Sequence, residues 1–286
     1  MRVSVVLPAK NESEGLGRTL PALQQAMPGA EVIVVDDGSS DDTVAIAVKF
    51  GALVLSSPYS MGNGAAIKRG ARAATGDVIV FMDADGQHDP ADIPSLLAQL
   101  QAGFDMAVGA RNGAGQASVG RGVANALYNR LASWMTGHRI QDLTSGFRAV
   151  RTSRFLEFLH LLPNGFSYPT TSTMAFFRSA YPVAYVPIQV SRRVGTNSHI
   201  RPLRDGVRFL LIIFKIATLY SPLKLFAPAA VSFAVLGLSH YAWTFATQGR
   251  FTNMSALLLS ASVIVFLIGL VSEQITSLTY QRADRL

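Results

Sequence analysis

The chain has 286 residues, no cysteine, 49% hydrophobic and 15% charged residues, and a formal net charge of +7. This composition excludes a disordered chain, a disulfide-stapled module and a thiolate zinc site, and the length suits one large domain with an appendage. The charge is unevenly placed, at −6 over residues 1–105, +11 over 106–222 and +2 over 223–286, yet no zinc-finger or RNP-type signature accompanies the basic middle, so no nucleic-acid partner is expected.

In chain order, VSVVLPA (3–9) is a short apolar run followed by Lys10 and Glu12. That pattern suits a buried parallel strand rather than a secretory leader. EVIVVDD (31–37), ALVLSS (52–57), DVIVFMDAD (77–85) and DMAVGAR (105–111) are further β-rich runs separated by helix-length segments. The alternation predicts an α/β fold with a mostly parallel sheet, helices on both faces, and ligands at the carboxyl ends of the strands. Asn11 and Glu12, Asp36 and Asp37, Asp83 and Asp85, and Arg111 all fall at those ends.

Residues 201–222 mix Arg201, Arg204, Arg208 and Lys215 with leucine, isoleucine and phenylalanine. They read as an amphipathic segment in the membrane interface, with a packed helix of the soluble domain as the alternative. Residues 223–286 contain two stretches, 225–249 and 251–272, without Asp, Glu, Lys or Arg. Each can cross a hydrocarbon core of about 30 Å, so two transmembrane helices are expected near 226–246 and 254–274. QGRFTN between them allows only a tight turn, which puts both flanks on one side. Lys215, Lys224, Arg282 and Arg285 on the flanks outnumber Arg250 in the turn, which places the domain over residues 1–200 in the cytoplasm, at the inner or plasma membrane if the source is bacterial. Tyr220, Tyr241, Trp243 and Phe245 suit an aromatic belt. Two buried helices of a soluble protein are the alternative.

DADGQHDP (83–90) follows an apolar strand. Two carboxylates one residue apart at a strand end can share a hard cation such as Mg²⁺ or Mn²⁺, completed by water and ligand phosphates. Asp85 is the first-choice metal ligand, Gln87 a neighbouring polar contact, and Asp83 faces the nucleoside or its ribose. VVDDGSSDDT (34–43) repeats strand followed by turn, with Asp36 and Asp37 able to accept from a base or ribose. GNGAAIKRG (62–70) is only superficially a dinucleotide fingerprint, because Ile67 stands at the third glycine position and the segment does not follow the first strand. Of the histidines, His88 follows the metal motif and His199 lies in the basic loop, whereas His138, His160 and His240 have no partner at ligand spacing.

LPAKNE, VVDDGSSDDT, GNGAAIKRGARAATGDVIVFMDADGQHDP, AVGAR, QDLTSGFRAVR and RRVGTNSHIRPLRDG, in this order, resemble a family 2 glycosyltransferase of the Rossmann-like GT-A fold. More narrowly the chain is similar to dolichyl- and polyprenyl-phosphate sugar synthases with a C-terminal two-helix membrane anchor. The resemblance implies donor-nucleotide contacts by Pro8, Lys10, Glu12, Val35 and Asp37, and donor plus metal contacts by Asp83, Ala84, Asp85 and Gln87. It also implies phosphate contacts by Arg111 and by an R-x-x-G-x-S-K motif. Here that motif reads Arg193-Val-Gly-Thr-Asn-Ser-His, with one residue more before the serine than the strict spacing and His199 where lysine is usual. Some members of such families assemble as tetramers through their membrane helices, which makes a homo-oligomer an expectation.

A lipid monophosphate acceptor is already ionised near neutral pH, whereas an alcohol needs a general base. The basic middle supplies arginines for phosphate: Arg111 and Arg193, then Arg121, Arg148 and Arg201, with Ser198 beside them. Asp142 is the sole carboxylate in QDLTSGFR; it is a candidate base, or it orients the acceptor or an arginine. The expected activity is inverting transfer of a sugar from a UDP- or GDP-linked donor to polyprenyl phosphate. The alternatives are a family 2 transferase with a glycan or non-phosphate lipid acceptor, and a non-catalytic membrane protein that binds nucleotide-sugar.

Overall fold

The computed structural model describes residues 1–111, 119–165, 167–191, 214, 218 and 220–281, with side chains omitted at 119–125 and 281. It contains two compact units, Met1–Pro202 and Leu203–Leu286. Most of the segment 201–222, expected at the membrane interface, lies outside the described residues.

In the first unit, β1 (Val3–Ala9), β2 (Glu31–Asp36), β3 (Leu53–Ser56), β4 (Val78–Phe81), β5 (Met106–Arg111), β6 (Arg148–Arg151) and β7 (Val183–Ile188) form one sheet. Their order is β3-β2-β1-β4-β6-β5-β7. All pairings are parallel except those of β6, which runs antiparallel to β4 and β5. The helices are α1 (Ser13–Ala26), α2 (Thr43–Lys49), α3 (Asn63–Ala73), α4 (Ile93–Gln101), α5 (Val119–Thr136), α6 (Thr152–Glu157) and α7 (Tyr168–Arg178). The five expected strands are present, with β6 and β7 in addition.

Strand β4 is buried along its whole length, as an unbroken VIVF run at the centre of a sheet covered on both faces should be. Helix α1 presents Leu16, Thr19, Leu20 and Leu23 to the core, and α4 presents Ile93, Leu96, Leu97 and Leu100, both at helical spacing. A 3₁₀ turn, Pro90–Asp92, leads into α4, and the Asp89 carboxylate caps it by accepting from the Ala91 N–H at 2.9 Å. The strand expected through residue 85 ends at Phe81. Val6 pairs with Phe81, so β1 runs three residues further, to Ala9, than β4 does. Asp83 and Asp85 therefore leave the sheet as a turn, with Gly86 at φ +72°.

In the second unit, α8 (Pro222–Gln248) and α9 (Asn253–Gln281) form a helical hairpin around the expected spans. Their 27 and 29 residues reach about 40 Å at about 1.5 Å per residue. Gly249 at φ +63° ends α8, donating its N–H to Phe245 O. Only 17% and 11% of the most apolar windows are buried, unlike the core helices of a soluble protein. Between the helices Gly237 lies against Leu258 and Leu259, and Gly269 against Phe226. Small residues allow such close approach where lipid leaves no hydrophobic drive for helices to associate. Ser262 Oγ donates to Ala230 O at 2.8 Å, and Glu273 accepts from the Leu223 N–H at 3.2 Å, which satisfies an open donor in the first turn of α8.

A Cβ at Gly269 would sit 2.7 Å from Phe226 Cβ, so Gly269→Ile is expected to push the helices apart. Because the chain has no cysteine, an Ala230→Cys/Ser262→Cys pair reports this. It should cross-link readily on oxidation in the otherwise unaltered hairpin and several-fold less with Gly269→Ile.

Candidate active site

The turns after β1, β2 and β4 meet at the carboxyl edge of the sheet, the usual ligand position in such folds. After β1, Asn11 adopts φ +54°, a left-handed conformation that asparagine tolerates. Its Oδ1 accepts from the Ser40 N–H at 2.8 Å, and its own N–H donates to Ser39 Oγ at 2.9 Å. Glu12 N donates to Thr43 Oγ1 at 3.0 Å and Ser13 N to Asp41 Oδ2 at 3.1 Å, so the first turn is tied to the second at four points. Burial works against the Asp41 carboxylate, but the hydrogen bonds from Thr43 and Ser13 outweigh it and bring its pKa down to about 2.

After β2, buried Asp36 accepts from the Ser39 N–H at 3.0 Å. Asp37 accepts from Ser60 Oγ at 2.6 Å, Met61 N at 2.6 Å and Gly62 N at 3.0 Å, which fixes the loop before α3. After β4, Gln87 N donates to Asp85 Oδ1 at 3.1 Å. These turns enclose a cleft of about 440 Å³ lined by Pro8, Lys10, Glu12, Asp37, Asp83, Ala84 and Asp85, together with Ser60, Gly62 and Asn63. Seven residues expected at a donor site from the sequence thus share one cleft. Ser60, Gly62 and Asn63 were missed; the GNG turn opening a helix was a signal for Gly62 and Asn63, and Ser60 carried none. A cavity of about 60 Å³ shares Asn63 and Asp83 with the cleft and adds Thr144, Gly146, Tyr168 and Thr170.

Two glycines make room for the D-x-D turn. A Cβ at Gly15 in α1 would sit 2.2 Å from Ala84 O, and one at Gly146 would sit 2.8 Å from Asp83 Oδ2. His88 stacks on Phe147, with ring centroids 5.0 Å apart, and its Nε2 is 3.8 Å from Asp83 Oδ2. Among the described residues no three His, Asp or Glu side chains gather into a ready-made metal cage. Two carboxylates on alternate residues fit a hard cation whose other ligands are water and phosphate, and do not fit a closed zinc site.

Arg111, at the end of β5, makes a fork with Asp142: Nε donates to Oδ2 at 2.7 Å and Nη2 to Oδ1 at 2.9 Å. Asp142 also accepts from the Thr144 and Ser145 N–H groups, each at 3.1 Å. Burial raises the Asp142 pKa, but the hydrogen bonds and charge of Arg111 outweigh it and hold the carboxyl below its ordinary value. The same hydrogen bonds, donated to Asp142, raise the Arg111 pKa against desolvation. Both Asp142 oxygens are thus engaged, with Arg111 and with the turn at Thr144 and Ser145.

Two expectations need correction. Arg148, expected at the acceptor phosphate, is 0% exposed. Its Nη1 donates to Pro169 O, Ser172 Oγ and Thr173 Oγ1 at 2.9, 2.9 and 3.0 Å, and its Nη2 donates to Ser145 O. It joins α7 to the 145–146 loop and presents nothing to a ligand. Val35, expected at the donor, is 0% exposed inside β2, where the sheet takes up its side chain. Gln87 lies beside the cleft: its Nε2 donates to Ser191 O at 3.3 Å and its O accepts from Ser191 N at 2.9 Å. Ser191 is therefore held next to the D-x-D turn. Arg193, Ser198, His199, Arg201 and the side chain of Arg121 lie outside the described residues.

Residues 4–158 match the family model for glycosyl transferase family 2, and residues 221–278 match that for the GtrB C-terminal hairpin. The chain is 43% identical over 110 residues to an uncharacterised glycosyltransferase of Mycobacterium bovis, a match covering 38% of this chain and 48% of that one. It is 33% identical over 215 residues to an undecaprenyl-phosphate mannosyltransferase of Micrococcus luteus, covering 69% of this chain and 87% of that one. Among solved structures, glucosyl-3-phosphoglycerate synthase of Mycobacterium tuberculosis in complex with Mn²⁺ and UDP-glucose superposes with a TM-score of 0.60 at 26% identity, over 76% of this chain and 78% of that one.

Gly15→Val is expected to destabilise the first unit by about 1–3 kcal/mol, as overpacking does, read as a lower denaturation midpoint. Asp142→Asn is expected to cost about 1–3 kcal/mol at pH 7, the scale of a hydrogen bond to a charged group. Because the native Asp142 pKa is lowered, its contribution is full above the unfolded value of about 3.9 and fades as pH falls through the native one. The gap between wild type and Asp142→Asn in thermal midpoint should therefore narrow only below about pH 4.

Proposed function

Because the chain belongs to glycosyl transferase family 2, we propose that it moves a sugar from a nucleotide-sugar donor, UDP- or GDP-linked, to polyprenyl phosphate, with inversion at the anomeric carbon. The observation that carries this reading is the engagement of Asp142. An alcohol acceptor needs a base to take its proton, and the carboxylate on the basic side of the site is locked in a fork with Arg111. A phosphate monoester needs none, since its second pKa is about 6. What it needs is positive charge, and Arg111 supplies that in a fixed orientation.

Lys10, Glu12, Asp37 and Asp83 hold the nucleoside and ribose end of the donor in the cleft. Asp85, with Gln87 beside it, would hold Mg²⁺ or Mn²⁺, which when bound neutralises charge on the departing diphosphate. A phosphate oxygen of the acceptor attacks the anomeric carbon as the bond to the diphosphate breaks, so no covalent enzyme intermediate forms. Arg111 and Arg193 screen the phosphates, with Arg121, Ser198, His199 and Arg201 as further contacts in the basic segment. The hairpin keeps the domain at the bilayer where the lipid carrier resides, and the excess of Lys224, Arg282 and Arg285 over Arg250 puts the domain on the cytoplasmic side. The named acceptor of the Micrococcus relative and the matched hairpin support a lipid-linked phosphate over a soluble acceptor.

The test uses the full chain in membranes with labelled sugar nucleotide. Transfer is expected to polyprenyl phosphate and not to polyprenol, with a rate that falls as pH drops below about 6. Asp85→Ala should lower transfer by about 100-fold or more, on the scale of losing a charge-stabilising group. Transfer to polyprenol at a comparable rate would refute the phosphate acceptor, and wild-type turnover by Asp85→Ala would refute the metal assignment.

A further inference from the structure

The segment 142–146 touches both halves of the site. At one end Asp142 takes the fork from Arg111, and Thr144 Oγ1 accepts from Arg111 Nη2 at 2.6 Å. At the other, the Gly146 backbone lies so close to Asp83 that a Cβ there would sit 2.8 Å from Oδ2. This short stretch therefore links an arginine of the basic side to a carboxylate of the donor cleft.

The first residue of α7 holds that stretch from beneath. Tyr168, buried, donates its hydroxyl to the buried Gly146 O at 2.9 Å. Arg148, which ties Ser145 O to Pro169 O, lies over the Tyr168 ring at 5.7 Å from its centroid. The same ring meets Phe81, the last residue of β4, in an edge-to-face contact at 6.0 Å. Tyr168 thus bears on two supports of Asp83, the strand end that releases the D-x-D turn and the glycine packed on the carboxylate. Burial first, and then the charge of Asp83, push the Tyr168 pKa up against the effect of Arg148, so the phenol keeps its proton and stays a donor. A phenylalanine would fill the same space. What the hydroxyl adds is its hold on Gly146 O, an acceptor that is costly to leave unpaired.

We propose that Tyr168 is a positioning residue, which through Gly146 fixes the segment 142–146 and with it the spacing between Arg111 and Asp83. It rests on the proposed roles of Arg111 at phosphate and of Asp83 at the donor. A misplacement of about 1 Å can cost about 100-fold in rate. Lys10, Glu12 and Asp37 keep their grip on the donor whatever this spacing is, so a change in it falls on the transfer step.

The test compares wild type, Tyr168→Phe, Arg111→Lys and the double variant, all full-length in membranes, with labelled sugar nucleotide and polyprenyl phosphate. Binding of UDP in the presence of Mn²⁺ and the thermal midpoint are read separately for each. Tyr168→Phe should lower kcat by about tenfold while the donor KM stays within about twofold. Arg111→Lys keeps a charge but cannot form the fork with Asp142, so it no longer transmits the spacing. The double variant should then be slower than Arg111→Lys by less than about twofold, the non-additivity of coupled positions. A lower midpoint with wild-type kcat would overturn the proposal and leave Tyr168 an ordinary core contact. A weaker hold on UDP with a raised donor KM and unchanged kcat would overturn it in favour of a donor contact. A further loss in the double variant as large as that of Tyr168→Phe alone would overturn the route through Arg111. Absence of transfer to polyprenyl phosphate by wild type would overturn the proposed function and this inference together.

Discussion

The mismatch in length between β1 and β4 is the constraint on which the site depends. Because β4 stops opposite Val6, the chain carrying Asp83 and Asp85 is released from the ladder beside the last residues of β1. Both residues then line one cleft with Lys10 and Glu12. Had the strand continued through the D-x-D segment, β pleating would have aimed Asp83 and Asp85 together to one face and Ala84 to the other, within the hydrogen-bonded layer. The released turn needs close neighbours on two sides, and Gly15 and Gly146 provide them by lacking a Cβ.

Around that turn the acidic residues divide by what occupies them. Asp36 and Asp41 accept from backbone N–H groups of their own turn, so part of the negative charge of the front segment is spent on building the cleft, while Asp37 both ties down the loop before α3 and lines the cleft. Asp142 is committed in the same way to Arg111. The arginines divide too. Arg148, sealed among neutral acceptors and the ring of Tyr168, is an internal brace, whereas the Arg111 side chain is 33% exposed. Net charge by segment predicts the sign of the field and says nothing about which cations are free to use it.

The hairpin follows a different physics. Its helices expose Val231, Leu236, Leu257, Val263 and Ile264, which lipid solvates as well as protein would. What holds the pair together is close packing at Gly237 and Gly269 and the few polar links at Ser262, Glu273 and between His240 and Ser255.

Much of this was readable in one dimension. Unbroken apolar runs followed by polar turns identify the parallel strands, and their carboxyl ends identify Lys10, Glu12, Asp37, Asp83 and Asp85 as neighbours, because parallel strands bring like ends together. The two uncharged stretches identify the hairpin, because hydrocarbon tolerates little else. Strands β6 and β7 escaped notice: RAVR alternates basic and apolar residues and VAYVPI carries a proline, so neither reads as central, and β6 runs antiparallel. The fates of Arg148 and Asp142 were also beyond the sequence, since TSGFR offers an arginine and QDLTSG a carboxylate with no sign of which will be buried and which paired. Periodicity and spacing determine which residues share an edge of the sheet. Only the tertiary structure decided which of those charges are consumed as internal partners and which remain for a ligand, because desolvation and hydrogen bonding depend on neighbours that are distant in the chain.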